Sequence, residues 1–218
     1  MSKSSSRAAA APGKTGAAAK KPANKLATKR PGVTPPGEIR IIGGQWKRTK
    51  LPVANRPGLR PTPDRVRETL FNWLGQDLTG WRCVDAFAGT GALGFEAASR
   101  GAAEVLMVEQ EGALVTQLQT LQAKLEATTV QVRRGDGVAA LRQLAPASMD
   151  LVLLDPPFDA PLYETALRAA AAALKADGFV YLEASVPWTE EALAAVGLVL
   201  RRHMKAGVVQ AHLLQRVA

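Results

Sequence analysis

The 218-residue sequence has very few cysteines and histidines and no long apolar segment, and each of these shortages excludes a class of structure or site. Cys83 is the only cysteine, which excludes internal disulfides and suggests a reducing cytoplasm. The two histidines belong to no cluster of ligand residues, so we expect no metal site. No apolar run reaches the roughly eighteen residues of a transmembrane helix. We therefore expect a cytoplasmic protein without a membrane span.

Acidic residues are absent from the first 37 positions, which hold eight Lys or Arg and almost no large apolar side chain. Such a segment cannot bury enough surface to offset its ordering entropy, so we expect residues 1–37 to form a disordered basic tail. A basic arm that raises RNA affinity and a solvated leader are equally good interpretations. A transit peptide is a third, although the lysine-rich composition and the lack of an amphipathic pattern count against it.

Charge is divided unevenly along the chain. The first 67 residues hold sixteen basic and two acidic residues, whereas residues 68–218 hold twelve basic and seventeen acidic residues. This division is expected if the first third of the chain contacts phosphates and the rest binds a cofactor.

A glycine-rich segment follows the first strand of a predicted α/β region. Gly89, Gly91 and Gly94 have the spacing G-x-G-x-x-G, and Glu109 lies twenty residues after Gly89, at the end of the next apolar strand. The pattern is typical of a strand, a tight turn and a helix that let a nucleotide-like ligand approach the backbone. NAD(P) and S-adenosylmethionine both contain a ribose that the acid could bind. The motif alone therefore fits an NAD(P)-dependent oxidoreductase, a methyltransferase or ordinary turn glycines.

Asp85 distinguishes the two cofactors. A carboxylate at this strand end would repel a pyrophosphate, whereas it would attract the α-ammonium group of S-adenosylmethionine. We therefore predict S-adenosylmethionine as the cofactor. For Asp136, contact with the adenine amine and a role as N-cap of a helix from Gly137 are equally good interpretations. The candidate cofactor-binding residues are Asp85, Phe87, Ala88, Gly89, Gly91, Glu109, Gln110 and Asp136.

A second motif, Asp155-Pro156-Pro157-Phe158, follows an apolar strand. An exocyclic amine is difficult to methylate because its lone pair is delocalised into the aromatic ring. The Asp155 carboxylate and the Pro156 carbonyl could accept both N–H bonds and turn the lone pair toward a methyl donor. The prolines would fix the backbone and Phe158 would stack on the base. These four are the candidate catalytic residues; a plain proline turn is the alternative.

The remaining pattern alternates between helices and strands over residues 79–218, which predicts an α/β domain there. Because this domain contains both motifs, we expect it to be the S-adenosylmethionine-dependent methyltransferase domain. Alternation of this kind predicts an α/β, Rossmann-like fold with a mostly parallel seven-stranded sheet covered on both faces. The last two strands predict a C-terminal antiparallel hairpin, which methyltransferases have and dinucleotide-binding folds lack. The predicted strands are Arg82–Ala86, Glu104–Glu109, Val130–Arg133, Met149–Leu154, Gly178–Glu183, Leu198–Met204 and Val208–Gln215.

Residues 38–78 are predicted to form an N-terminal RNA-binding extension made of a hairpin and a helix. Gly43-Gly44 separates two strand patterns and predicts a glycine turn. Thr62 is expected to cap a helix whose first residue is Pro63. A hairpin that only covers the sheet edge is the alternative. The candidate RNA contacts are Arg40, Trp46, Lys47, Arg48, Arg60, Thr62, Arg65 and Arg67, with Trp46 suited to stack on an unpaired base.

Taken together, these motifs resemble the RsmD family of bacterial 16S ribosomal RNA guanine-N2 methyltransferases. The stretch from Arg40 to Leu74 is the part most specific to that family, whereas the glycine and Asp-Pro-Pro-Phe motifs occur in many amino-methyltransferases. The resemblance runs from about Ile39 to Ser185 and rests on Arg40–Trp46, Leu51–Val53, Leu59–Thr62, Arg65–Leu74, Asp85–Gly91 and Asp155–Phe158.

The resemblance implies a class I methyltransferase fold, S-adenosylmethionine as methyl donor and a guanine in 16S ribosomal RNA as target. It also implies an assembled or assembling small subunit as the substrate, and we expect the enzyme to be a monomer. From the residues alone, a DNA or RNA adenine-N6 methyltransferase stays open, because it would orient its amine with the same two acceptors, the Asp155 carboxylate and the Pro156 carbonyl. We call this pair the amine clamp. A non-catalytic RNA-binding assembly factor also stays open, although such a protein would have no need of the clamp.

Overall fold

A mixed seven-stranded sheet is the central layer of the computed structural model, which describes residues 38–53, 62–157 and 162–217. The predicted tail, together with Arg60 and Phe158, lies outside the described residues. The strands are β1 (Glu38–Arg40), β2 (Lys50–Pro52), β3 (Arg82–Asp85), β4 (Glu104–Glu109), β5 (Val130–Arg134), β6 (Met149–Leu154), β7 (Leu174–Ala184), β8 (Leu198–Ala206) and β9 (Val209–Arg216). The helices are α1 (Asp64–Trp73), α2 (Ala92–Ser99), α3 (Gly112–Lys124), α4 (Gly137–Arg142), α5 (Tyr163–Ala173) and α6 (Glu190–Ala195).

The sheet has the strand order β5-β4-β3-β6-β7-β9-β8. Strands β3 to β7 are parallel to one another, and β9 lies between β7 and β8 and is antiparallel to both. The predicted Rossmann-like fold with a C-terminal antiparallel hairpin is therefore confirmed. Strand β7 begins at Leu174, earlier than the predicted Gly178, because Met149 of β6 pairs with Leu174 before a break in register.

Both faces of the sheet are buried, each against its own helices. Leu151, Leu153 and Tyr181 face a core that also contains apolar residues of α1, α2 and α3. The alternate residues Val152 and Leu154 face a second core formed with α4, α5 and α6. Side chains alternate between the faces of a strand, so these near-continuous apolar strands can supply both cores.

The predicted N-terminal hairpin is present, but Gly43-Gly44 does not form its turn. Strands β1 and β2 pair from Glu38↔Pro52 to Arg40↔Lys50, and a longer loop over 41–49 joins them. A side chain at Gly44 would collide with the Ser99 backbone at the end of α2. The Ser99 hydroxyl donates to the Gly43 carbonyl over 2.6 Å. Glycine is required here for close approach to α2.

A buried carboxylate, Glu96 of α2, joins the hairpin and α1 to the domain. It is fully buried and accepts hydrogen bonds from the backbone N–H groups of Ile42 and Gly43, both over 2.8 Å. It also pairs with Arg67 of α1 at 3.2 Å and with Arg100 at 2.9 Å. Two cations and two N–H groups therefore compensate the desolvation of this charge.

The prediction that Arg67 contacts RNA is wrong in this structure. Its side chain is fully buried, and its guanidinium donates to the Arg40 carbonyl over 2.8 Å and to Asp64 over 2.6 Å, in addition to Glu96. The helical spacing of α1 places Arg67 on the inner face beside Val66 and Leu70, where the core would otherwise be apolar.

None of the helices in the described ranges is long and apolar enough to cross a membrane.

Replacing Glu96 with Gln tests the importance of this cluster. We expect the free energy of unfolding to fall by about 3–5 kcal/mol, because two buried arginines would lose the carboxylate that they share. Urea unfolding followed by circular dichroism measures the change. Glu164→Gln is the matched control, since it removes an exposed ion pair with Arg168 and should change stability little. Equal stability of the two variants would contradict the role given to Glu96.

Candidate active site

The carboxyl ends of the parallel strands bring the two motifs to one edge of the sheet. Asp85 ends β3 and is in register with Leu153 of β6, and Asp155 follows two residues later. Strands of a parallel sheet end at the same edge, and ligands of open α/β sheets bind there. The predicted proximity of the glycine segment and the Asp-Pro-Pro segment is therefore present in the structure.

The glycine turn has the geometry that its sequence predicted. Gly89 and Gly91 have φ angles of 52° and 81°, a region that glycine adopts without strain. A side chain at Gly91 would come within 2.6 Å of Leu118, so α2 and α3 could not pack as they do. Gly94 lies against β4, where a Cβ would be 2.8 Å from Met107. Within the turn Gly89 is partly exposed, whereas Thr90 and Gly91 are buried, and α2 packs closely on the strands.

Asp85 is a buried carboxylate with one unused oxygen. Its Oδ2 accepts the Gly94 N–H over 2.9 Å, whereas its Oδ1 has no hydrogen-bond partner in the described structure. Burial raises the pKa of Asp85 to about 7, and the nearby Glu109 and Glu183 add to the rise. The hydrogen bond from Gly94 and, to a smaller extent, the nearby Phe87 N–H limit this rise. A buried acceptor without a partner is costly, so a cationic or N–H-bearing ligand group would be stabilised there.

Glu109, at the end of β4, holds the glycine turn in place. Its Oε2 accepts the Gly89 N–H over 2.9 Å and its Oε1 accepts the Glu111 N–H over 2.8 Å. The side chain is half-buried, and burial raises its pKa. A carboxylate oxygen can accept a second hydrogen bond, so Glu109 can still bind a ribose hydroxyl. Ala88 is buried beside it and Phe87 is partly exposed.

Asp136 is the N-cap of α4. Its Oδ1 accepts the Ala139 N–H over 2.7 Å, and its Oδ2 accepts from the side chain of Gln110 over 2.8 Å. The N-cap interpretation is therefore confirmed, and contact with an adenine stays a prediction. The hydrogen bond places Gln110 and Asp136 together just after the ends of β4 and β5, where both side chains are exposed.

The acceptor motif begins directly after β6. Asp155 is partly buried, Pro156 is buried and Pro157 is exposed. Burial holds the pKa of Asp155 well above its usual range, and the negative charges of Glu183 and Asp85 raise it further. Asp155 can thus reach an incoming amine while lying in an environment that favours uptake of a proton.

Sequence reasoning missed two residues of this site, Tyr181 and Glu183, both on β7. Glu183 is buried, and the Tyr181 hydroxyl donates to it over 2.9 Å. Burial and the charge of Glu183 hold the pKa of Tyr181 well above its usual range. An available signal was that Glu183 ends an apolar strand, as Asp85 and Glu109 do.

Thr62 occupies a different position from the predicted one. The N-cap of α1 is Pro63 and no side chain caps the helix. Thr62 is buried and its hydroxyl donates to Glu183, so in this structure it lines the site and is not exposed for RNA contact. The reason is that α1 packs on the face of the sheet that carries Tyr181 and Glu183.

The other predicted RNA contacts in the described ranges lie at the surface of the extension. Arg40, Lys47, Arg48 and Arg65 are exposed, and Trp46 is partly buried against the core. The Trp46 backbone N–H donates to the Ser99 hydroxyl over 3.0 Å, which holds the loop against α2. RNA binding by these residues stays a prediction.

Comparison with known proteins agrees with the geometry. A family model described as conserved hypothetical protein 95 matches residues 39–215. Ribosomal RNA small subunit methyltransferase D of Escherichia coli strain K12 is 41% identical over 194 residues, which cover 87% of this chain and 96% of that protein. The protein of the same name from Haemophilus influenzae is 43% identical over 153 residues, which cover 67% and 79%.

A solved structure of a related protein has the same fold. The Escherichia coli protein yhhF superimposes with a TM-score of 0.71 at 42% identity, covering 84% of this chain and 99% of that one. The family model, the extent of the sequence identity and the strand order all agree. The chain therefore belongs to the RsmD family of ribosomal RNA small subunit methyltransferases.

Proposed function

We propose that this protein transfers a methyl group from S-adenosylmethionine to the exocyclic N2 amine of a guanine in 16S ribosomal RNA. The observation that supports the proposal best is the placement of Asp155 and Pro156 beside Asp85 at the carboxyl edge of the sheet. The relatives named ribosomal RNA small subunit methyltransferase D support the substrate, and the resemblance of the motifs supports the target atom.

The residues present fit S-adenosylmethionine. Asp85 has an unpartnered oxygen suited to the α-ammonium group, and Glu109 has acceptor capacity for the ribose hydroxyls. Gly89, the partly exposed residue of the glycine turn, has no side chain to obstruct a ligand. When bound, S-adenosylmethionine supplies an electrophilic methyl group on a sulfonium. A pyrophosphate would instead face the buried carboxyl of Asp85, which disfavours NAD(P).

The acceptor site orients the amine. The Asp155 carboxylate and the Pro156 carbonyl accept its two N–H bonds, which directs the nitrogen lone pair toward the methyl donor. Pro156 and Pro157 restrict the backbone at this position, so the acceptor geometry is set before the substrate arrives. Phe158 would stack on the base. Proximity and orientation account for most of the rate enhancement in such a site.

RNA binding is assigned to the exposed cations of the extension, because hairpin and helix lie on the same sheet face as the acceptor site. A small enzyme with few RNA-reading elements benefits from a shaped surface, so an assembled or assembling small subunit is the proposed substrate. The enzyme acts as a monomer in the cytoplasm, where its buried thiol Cys83 stays reduced.

Product analysis tests the function. Labelled S-adenosylmethionine is incubated with small subunits, naked 16S RNA and duplex DNA, and the nucleosides are then separated. We expect N2-methylguanosine in RNA from the subunits. N6-methyladenosine would contradict the base specificity, and transfer to none of the three acceptors, with S-adenosylmethionine still bound, would contradict catalysis.

Asp155→Ala tests the amine clamp. We expect methyl transfer to fall by about 10²-fold or more while S-adenosylmethionine binding is retained, because the carboxylate that stabilises the reacting amine is removed. Single-turnover transfer and calorimetric binding measure the two effects. Asp150→Asn is the control, because Asp150 lies near the opposite end of β6 and pairs with Lys175. Unchanged turnover in the Asp155 variant would contradict the mechanism.

The double variant Lys47→Ala, Arg65→Ala tests the RNA surface. We expect weaker binding to small subunits and a log–log salt dependence that is shallower by about one unit for each phosphate that the variant no longer binds. Filter binding between low and moderate salt measures the slope. Lys124→Ala, an exposed lysine at the end of α3, is the control. A slope equal to that of the unmodified protein would place RNA elsewhere on the surface.

A further inference from the structure

Glu183 is a further carboxyl group at the sheet edge, in addition to Asp85, Glu109 and Asp155, and neither the proposed amine contacts nor the proposed cofactor contacts use it. It is 2% exposed. A buried carboxyl beside a reactive one is unusual, because two such groups cannot both be ionised without cost.

The sheet register places Glu183 beside Asp155. Leu154 of β6 pairs with Leu182 of the neighbouring parallel strand β7. Asp155 and Glu183, which directly follow these two residues, therefore lie side by side. Leu153 pairs with Tyr181, and side chains two residues apart point to the same face. Asp155 and Glu183 therefore project from the same face of the sheet, and Asp85 shares it because it pairs with Leu153.

Two hydroxyl groups hold Glu183 in one orientation. Tyr181 donates from the same strand over 2.9 Å, and Thr62 donates from the segment before α1. Burial raises the pKa of Glu183, and the two hydrogen bonds from Thr62 and Tyr181 limit that rise because they stabilise the ionised form. The negative charge of Glu183 in turn raises the pKa of Asp155. Thr62 belongs to the N-terminal extension, so this hydrogen bond joins the extension, to which RNA binding is assigned, to the proposed acceptor site.

The groups that face Glu183 provide no compensating cation in the described structure. Asp85 lies on β3, with Glu109 of β4 behind it, and both are acidic. On β9, the residue paired with Glu183 is Ala211, which carries no charge. The buried His212 pairs with Leu182 and therefore lies on the other face of the sheet; burial and the nearby His203 lower its pKa to about 4. The Trp188 backbone N–H donates to His212 Nε2 over 3.2 Å.

We infer that Glu183 is a positioning residue whose carboxyl group, beside Asp155 on the same face of the sheet, makes Asp155 the group that accepts the proton released by the target amine as well as orienting it. The inference rests on the proposed function. It gives Glu183, a residue of β7 outside the Asp-Pro-Pro motif, a role in the reaction.

The proposed step balances in atoms and charge. The nitrogen lone pair forms the new N–CH₃ bond, and the S–CH₃ bond breaks with its electron pair left on sulfur. Asp155 takes the proton that the nitrogen loses. One positive charge on sulfur disappears and one negative charge on the Asp155–Glu183 pair is neutralised, so the buried site keeps its net charge. Product release then returns the proton to solvent.

Glu183→Gln tests this role, since the amide oxygen can still accept from both hydroxyls. The ionised form of Asp155 is the active one, so activity is lost as pH falls through its pKa. Removing the neighbouring negative charge should move this acidic limb of the kcat profile to lower pH by about one unit. A weaker base should also reduce the plateau kcat by about tenfold or less.

A second measurement needs no methyl transfer. Calorimetry of S-adenosylmethionine binding in buffers of different ionisation enthalpy counts the protons released. We expect release near pH 7 from the unmodified protein and less from Glu183→Gln. Glu190→Gln, at the exposed start of α6, is the matched control and should behave as the unmodified protein. If Glu183→Gln does not fold, Tyr181→Phe should give a smaller shift in the same direction.

The outcomes are distinct. An acidic limb and a proton count unchanged by Glu183→Gln would overturn the inference, and a uniform loss of activity at every pH would show a purely structural role. Failure of the proposed function would appear separately, as absence of N2-methylguanosine with the unmodified protein, and the proton count would still test Glu183.

Discussion

The parallel register of β3, β6 and β7 is the constraint on which the site depends. Three strands that end together place Asp85, Asp155 and Glu183 on one face at one edge. Each is buried or partly buried, and the charge of one raises the pKa of another. The sheet is covered by apolar cores on both faces, and burial beside these cores raises the pKa values of Asp85 and Asp155. A cationic methyl donor and an amine are the kinds of ligand that such an edge favours.

A second buried carboxylate decides how the extension meets the domain. Glu96 binds two backbone N–H groups of the hairpin loop and two arginines, so hairpin, α1 and α2 are joined through one side chain. This arrangement fixes the start of α1 and hence brings Thr62 to Glu183. The part of the chain assigned to RNA is thereby attached to the reacting end of the sheet by buried polar contacts.

Much of the fold could be predicted because strands and helices alternate with clear apolar periods. Strands β4 and β6 begin and end at the predicted residues, and the terminal hairpin has the predicted pairing. The errors occur where long-range contacts override local pattern. Gly43-Gly44 has the pattern of a turn but serves close packing on α2, and Arg67 has the pattern of a surface cation but lies in the core.

The sequence by itself determined the class of chemistry, since the glycine segment, Asp85 and Asp155-Pro156 are local motifs whose residue types define what they can bind. Only the tertiary structure decided which groups surround Asp155. Glu183, Tyr181 and Thr62 are distant from it in sequence and carry no motif, and their proximity follows from strand register and helix packing. Electrostatic coupling depends on distance in space, which a linear pattern does not contain.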